Sequence, residues 1–202
     1  MKQHVLVVHG GTSFDTYQQY LDFIKTRELT VETLTQCIDW RFSLPHELGN
    51  AFQVLVPNMP NGGNAKYIEW SIWFTRCISL LKGNPIIIGH SLGGIFLVKY
   101  LSEHRIQKKL RAVILIAAPF DHTSTVESLH DFALPESLEL FEEQAGEIFC
   151  FHSKDDPIVP LEENEKYQRK FPNAHIMLYR DRGHFRQETF PELVQLIRSL
   201  VI

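Results

Sequence analysis

Short apolar runs rich in β-branched residues recur along this chain, separated by longer amphipathic stretches, and that alternation constrains its fold more than any other feature. The runs fall at about Val5 to Val8, Gln53 to Val56, Pro85 to Ile88, Val113 to Ala117, Glu147 to Phe151 and His175 to Tyr179. A strand that is apolar along its length has to be covered on both faces, and in a chain where strands alternate with helices the helices do the covering. The expectation is an α/β fold: a three-layer α/β/α sandwich with a mainly parallel sheet of about six strands.

Helical periodicity fills the intervals. Tyr67, Trp70, Phe74, Cys77, Ile78 and Leu81 recur at three- and four-residue spacing, as do Leu193, Leu196, Ile197 and Leu200, so both stretches predict helices docked on the sheet. A third helix, after Ser91, carries Ile95, Leu97, Val98 and Leu101 and is almost apolar all round, as a helix buried behind a central strand must be. The 202 residues, 44% of them hydrophobic, suffice for one sizeable core, and residues 1–202 read as one domain. The richest turn segment, Pro57 to Asn64, is too short for a linker. The segment from Pro119 to Gly146 is the one long stretch between strands that reads as a cap, and it is small, which predicts an open or shallowly covered site.

Several function classes are disfavoured. A formal net charge of −4 gives a phosphate backbone little to bind, so no nucleic-acid partner is expected. No apolar run reaches the roughly 20 residues that span a bilayer, and the first residues lead straight into a strand, so the reading is a soluble cytoplasmic protein with no membrane partner. Cys37, Cys77 and Cys150 are too few for a disulfide framework and lack zinc-site spacing; they read as reduced thiols, and no metal is expected.

The chemistry is concentrated in Gly89-His90-Ser91-Leu92-Gly93-Gly94, which lies between an apolar strand and an apolar helix. That is the context required by a G-x-S-x-G nucleophile elbow, whose sharp turn strains the serine backbone and needs glycine where the chain crosses itself. A phosphate-binding loop fits less well, because the Gly-Lys-Ser/Thr ending is missing. Ser91 is therefore the candidate nucleophile, and the Leu92 N–H, at a helix start, is a candidate oxyanion donor.

A neutral serine needs a base, and the base needs a third group to fix its tautomer. His184, in Gly183-His184-Phe185 after the last strand, is the candidate base. Asp155 and Asp156, after the preceding strand, compete for the acid; spacing to Ile158-Val159-Pro160 favours Asp156, with the other capping or solvating the turn, and Asp121 is a third candidate. The second oxyanion donor is expected from the loop His9-Gly10-Gly11-Thr12, with the N–H of Gly11 ahead of that of Thr12. His9 and His90 are expected to orient these loops rather than carry protons.

With those residues placed, the whole chain resembles the α/β-hydrolase superfamily, and its small size is similar to the subgroup containing retinoblastoma-binding protein nine and its bacterial relatives. Two stretches carry the closer match: Pro57-Asn58-Met59-Pro60 with Trp70 and Trp73 after it, and Ser153-Lys154-Asp155-Asp156-Pro157 with Gly183-His184-Phe185 later. The resemblance implies a serine hydrolase acting on esters or amides, with the second aspartate of the pair as the acid. The first loop departs from many esterases in lacking a third consecutive glycine. The expected ligand is a small acyl substrate, with short acyl groups favoured by the small cap, and no cofactor is required. The rival reading is an interaction protein that retains the fold, with Trp40, Trp70 and Trp73 as a partner surface.

Overall fold

A computed structural model describes residues 2–35, 38–121 and 129–201. Six strands, β1 (Gln3–Val8), β2 (Phe52–Leu55), β3 (Ile86–His90), β4 (Ala112–Ile116), β5 (Glu147–Ser153) and β6 (His175–Tyr179), form one sheet in the order β2-β1-β3-β4-β5-β6. Every pairing is parallel. The helices are α1 (Tyr17–Thr26), α2 (Val31–Leu34), α3 (Trp40–Leu48), α4 (Tyr67–Ser79), α5 (Leu92–Glu103), α6 (Glu139–Gln144), α7 (Leu161–Lys170) and α8 (Pro191–Ser199).

The period of two along each strand divides the interior into two cores. Leu6, Val8, Ile87, Val113 and Leu115 face α4, α5, α6 and α7. Their strand neighbours Val5, Val7, Ile86, Ile88 and Ile114 face α3 and α8 through Trp40, Leu44, Leu193 and Ile197. Burying one such aliphatic side chain contributes about 1.5–3 kcal/mol, which is why strands without a polar face are stable only between two helical layers. Leu92 to Leu101 on α5 are buried nearly throughout, as the all-round apolar pattern requires.

The strand runs read from sequence sit within two residues of the observed strands. The expected cap is described only in part, residues 122–128 lying outside the described residues, and the described part packs largely as core. Of the described residues between Pro119 and Gly146, Phe132, Leu138 and Phe141 are buried against the α5 side of the sheet, with the Phe132 ring edge-on to both Trp70 and Phe96. The apolar outer face of α5 has to be covered, and these side chains cover it. The longer insertion is the β1 to β2 connection, which holds α1, α2 and α3. Trp40 and Trp70 are core residues, and only Trp73 of the three tryptophans is partly exposed. Cys77 and Cys150 are free thiols, burial pushing the Cys150 thiol up to about 12, and Cys37 lies outside the described residues. Among the described residues no helix is long and apolar enough to cross a membrane.

The topology selects the place for a site. From β1 the chain goes to β2 on one side, then returns to β3 on the other, so the loops leaving β1 and β3 diverge and open a crevice at their C-terminal ends. There α5 starts almost in contact with β1: a Cβ on Gly93 would lie 2.4 Å from the Val8 carbonyl oxygen and 2.6 Å from that of His9. Since both neighbours are backbone, Gly93→Ala is expected to destabilise the protein by about 2–3 kcal/mol in urea denaturation. A midpoint matching the wild type would show that the helix can retreat.

His90 ends β3 as a buried ring whose Nε2–H donates to the His184 carbonyl at 2.9 Å. Burial, then the neighbouring His184, pushes its pKa from 6.5 down to about 3. Between those values the unfolded chain takes up a proton that the folded one refuses, so the stabilisation is complete above about 6.5 and is lost as pH falls toward 3. His90→Gln is expected to flatten this acid limb in melting temperatures recorded from neutral pH downward; an unaltered limb would place the effect elsewhere.

Candidate active site

Ser91 joins β3 to α5 with φ 55° and ψ −125°, a left-handed conformation that a β-carbon resists. Strain of this kind costs about 1–3 kcal/mol and persists only where neighbours hold it. Here the Ser91 N–H donates to the Ile116 carbonyl at 2.8 Å, extending the β3–β4 ladder by one residue, and its carbonyl accepts from Gly94 N–H at 2.8 Å. The turn projects the side chain into a cavity of about 350 Å³ that also exposes Gly10, Gly11, Thr12 and His184.

Asp156 and His184 come together behind that cavity. The His184 Nδ1–H donates to Asp156 Oδ2 at 2.8 Å, with Oδ1 at 3.1 Å, and the two side chains are 5% and 1% exposed. Asp156 Oδ1 also accepts the N–H groups of Ile158 and Val159 at 2.8 and 3.0 Å. Burial alone would raise this carboxyl; the hydrogen bond and charge of His184, with the two amides, outweigh it and hold Asp156 below the usual carboxylate range. With Nδ1 committed to Asp156, Nε2 is the ring nitrogen left for proton transfer.

The histidine loop is held at every residue that matters. Asp155, the competitor for the acid role, accepts from Ser153 Oγ at 2.5 Å and from the Gly183 N–H at 2.9 Å, while the Arg182 N–H donates to Ser153 Oγ at 3.0 Å. Its task is to fix the loop from below. His90 holds the His184 carbonyl, and the Trp40 indole N–H donates to the Phe185 carbonyl at 2.9 Å. Asp121 is elsewhere, paired with Lys166 at 2.7 Å, and its own N–H donates to Glu163.

In the first loop, Thr12 N–H is already donated to the Gly62 carbonyl at 2.9 Å, which leaves Gly11 as the better-placed amide of the two. A Cβ on Gly11 would meet the Gly62 oxygen at 2.7 Å and the Leu92 side chain at 3.4 Å, so this loop and the start of α5 are in contact. Leu92 is the first residue of α5, where backbone N–H groups lack a partner inside the helix. The turn-rich segment after Pro57 supports the loop: Met59 N–H donates to His9 Nε2 at 2.7 Å, His9 Nδ1–H donates to Gly10 O at 2.5 Å, and the Trp70 indole donates to Pro60 O at 2.7 Å.

Three lining residues escaped the sequence reading: Asp39, Arg41 and Arg186. Asp39 caps α3 through Arg41 N–H at 3.0 Å, so an N-cap aspartate before Trp40 was the legible signal; Arg186 carries none. Among the described residues no three His, Cys, Asp or Glu side chains gather as a metal site.

Known proteins share this fold. A family profile described as Serine hydrolase matches residues 37–197. The serine hydrolase RBBP9 of Rattus norvegicus is 31% identical over 155 residues, 74% of this chain and 78% of the relative. The putative hydrolase YdeN of Bacillus subtilis (strain 168) is 24% identical over 142 residues, 70% of this chain and 74% of the relative. In three dimensions the ydeN gene product from B. subtilis aligns with a TM-score of 0.76 at 19% identity over 98% of both chains, and the pyrethroid hydrolase PytH with 0.63 at 12% identity over 98% and 97%. Since the profile spans most of the chain and includes the serine elbow, both aspartates and the histidine loop, this protein belongs to the serine hydrolase family and has an α/β-hydrolase fold.

Proposed function

We propose that the protein hydrolyses small esters or amides by acyl transfer to water, with Ser91 as nucleophile, His184 as general base and acid, and Asp156 as the group that orients the imidazole. The observation that carries this reading is His184 lodged between a buried carboxylate and the cavity into which Ser91 projects. In acylation Nε2 takes the Ser91 proton as Oγ attacks the carbonyl carbon. The resulting imidazolium is stabilised by Asp156, which stays ionised. Negative charge on the carbonyl oxygen is received by the N–H groups of Leu92 and Gly11, each worth about 10²–10³ in turnover. His184 then protonates the leaving group, and water repeats the sequence against the acyl-enzyme. The small cavity favours compact acyl groups.

A serine-directed fluorophosphonate probe should label the native protein and fail on Ser91→Ala. His184→Ala and Asp156→Asn should each lower p-nitrophenyl ester turnover by about 10⁴-fold or more while leaving the fold intact by circular dichroism. Equal labelling of Ser91→Ala, or unimpaired turnover by His184→Ala, would end this account.

A further inference from the structure

The charged side chains around Ser91 do not cancel. Within the cavity wall Asp39 is matched by Arg41, whose Nε donates to Oδ1 and Oδ2 at 2.8 and 3.0 Å and whose Nη2 donates to Oδ2 at 2.5 Å. Arg186 lines the same cavity, is exposed, and has no hydrogen bond or ion pair to another described residue. Of the acidic residues near it in sequence, Asp181 and Glu192 both face Arg182, while Glu188 is exposed and makes no ion pair with Arg186. Asp156 lies behind His184 and is satisfied by the imidazole and two amides. An unmatched guanidinium thus stands in the wall of the nucleophile's cavity, on a chain whose formal net charge is −4, so general basicity does not account for it.

Its backbone is not free to wander. The carbonyl before Arg186 accepts from the Trp40 indole at 2.9 Å, and the carbonyl after it, on Gln187, accepts the Trp40 N–H at 2.8 Å. Ser43 Oγ donates to the Glu188 carbonyl at 2.9 Å. The first turn of α3 therefore anchors the stretch on both sides of Arg186, and the guanidinium is presented from a fixed base, two residues from His184. A guanidinium offers paired N–H donors that match the two oxygens of a carboxylate.

Resting on the hydrolase reading above, we infer that the substrate carries a carboxylate and that Arg186 receives it beside Ser91. The carboxylate belongs either to the acyl part, as in a monoester of a small dicarboxylic acid, or to the leaving group, as in an acylated hydroxy acid. Arg186 is then a specificity residue, setting which esters are held with their carbonyl carbon against Ser91 Oγ.

Two matched pairs test this: p-nitrophenyl hemisuccinate against its methyl-capped counterpart, and 4-acetoxybenzoate against its methyl ester, each ratio of kcat/KM divided by the ratio for hydroxide-catalysed hydrolysis. At low salt the wild type should favour the charged member of one pair by about tenfold, and that pair identifies the side bearing the carboxylate. Arg186→Gln should bring the ratio to near one, Arg186→Lys should recover part of it, and added salt should erode it. Arg186 has no hydrogen-bond or ion-pair partner among the described residues, so the variants should keep the wild-type melting temperature. Protein that takes the fluorophosphonate label yet favours the charged member of neither pair overturns the carboxylate assignment and leaves the hydrolase reading standing, as does a ratio that Arg186→Gln leaves unchanged. Absence of both labelling and turnover overturns the two together.

Discussion

The active-site region depends on how closely one helix approaches two strands. Because α5 begins in contact with the ends of β1 and β3, the residue that turns the chain between strand and helix is forced to positive φ, and that residue is Ser91. A Cβ on Gly89 would lie 2.5 Å from the Gly93 carbonyl oxygen, and one on Gly94 would lie 2.4 Å from the Ala118 β-carbon. The glycines of the motif are thus consequences of packing as much as of turn geometry. The approach also brings the α5 amides and the β1 loop into contact, so the hydroxyl and the two proposed oxyanion donors are set by one constraint.

The histidine is positioned by a different mechanism, since its loop has no such steric frame. Gly183 and Phe185 both take positive φ on either side of His184, and the loop is held by hydrogen bonds from three separate parts of the chain. Ser153 and Asp155 reach it from the end of β5, His90 from the end of β3, and Trp40 from the start of α3. Hydrogen-bond acceptors on the β5 side and donors from His90 and Trp40 fix both the translation and the rotation of the imidazole, which a single bond to Asp156 would leave partly free. Neutral His90 suits this role because only an uncharged ring is tolerated where it is buried.

Local chemistry made the sheet and the candidate triad legible in the sequence. Ile86 to Ile88 and Val113 to Ile116 are apolar on both faces, and Gly-His-Ser-Leu-Gly-Gly sits where such a strand meets such a helix. The carboxylates were harder, because Asp155 and Asp156 are adjacent and both hydrogen-bonded; only the direction of each side chain separates loop support from the bond to His184. The connection between β1 and β2 was opaque. Its α1 buries no residue and so shows no core-facing demand, while α3 contains Pro45 and has little amphipathic character despite burying Trp40, Leu44 and Leu48. Apolar residues between Pro119 and Gly146 read as a cap because sequence does not reveal that α5 has an outer face to cover.

That opaque connection couples two properties of the site. Trp40, through its indole and its backbone N–H, holds the segment carrying His184 and Arg186, and its neighbours Asp39 and Arg41 form a charge pair in the cavity wall. The Asp39 carboxylate caps α3 as well as pairing with Arg41; burial would raise it, but Arg41 outweighs burial and keeps it ionised. Removing Arg41 would leave the Asp39 carboxylate uncompensated in the cavity wall, where it would oppose the oxyanion of the proposed mechanism. The first turn of α3 thus holds the segment of the proposed base and keeps the Asp39 charge in the cavity wall compensated. Changes in that turn should alter rate and selectivity together, even though none of its side chains performs the chemistry.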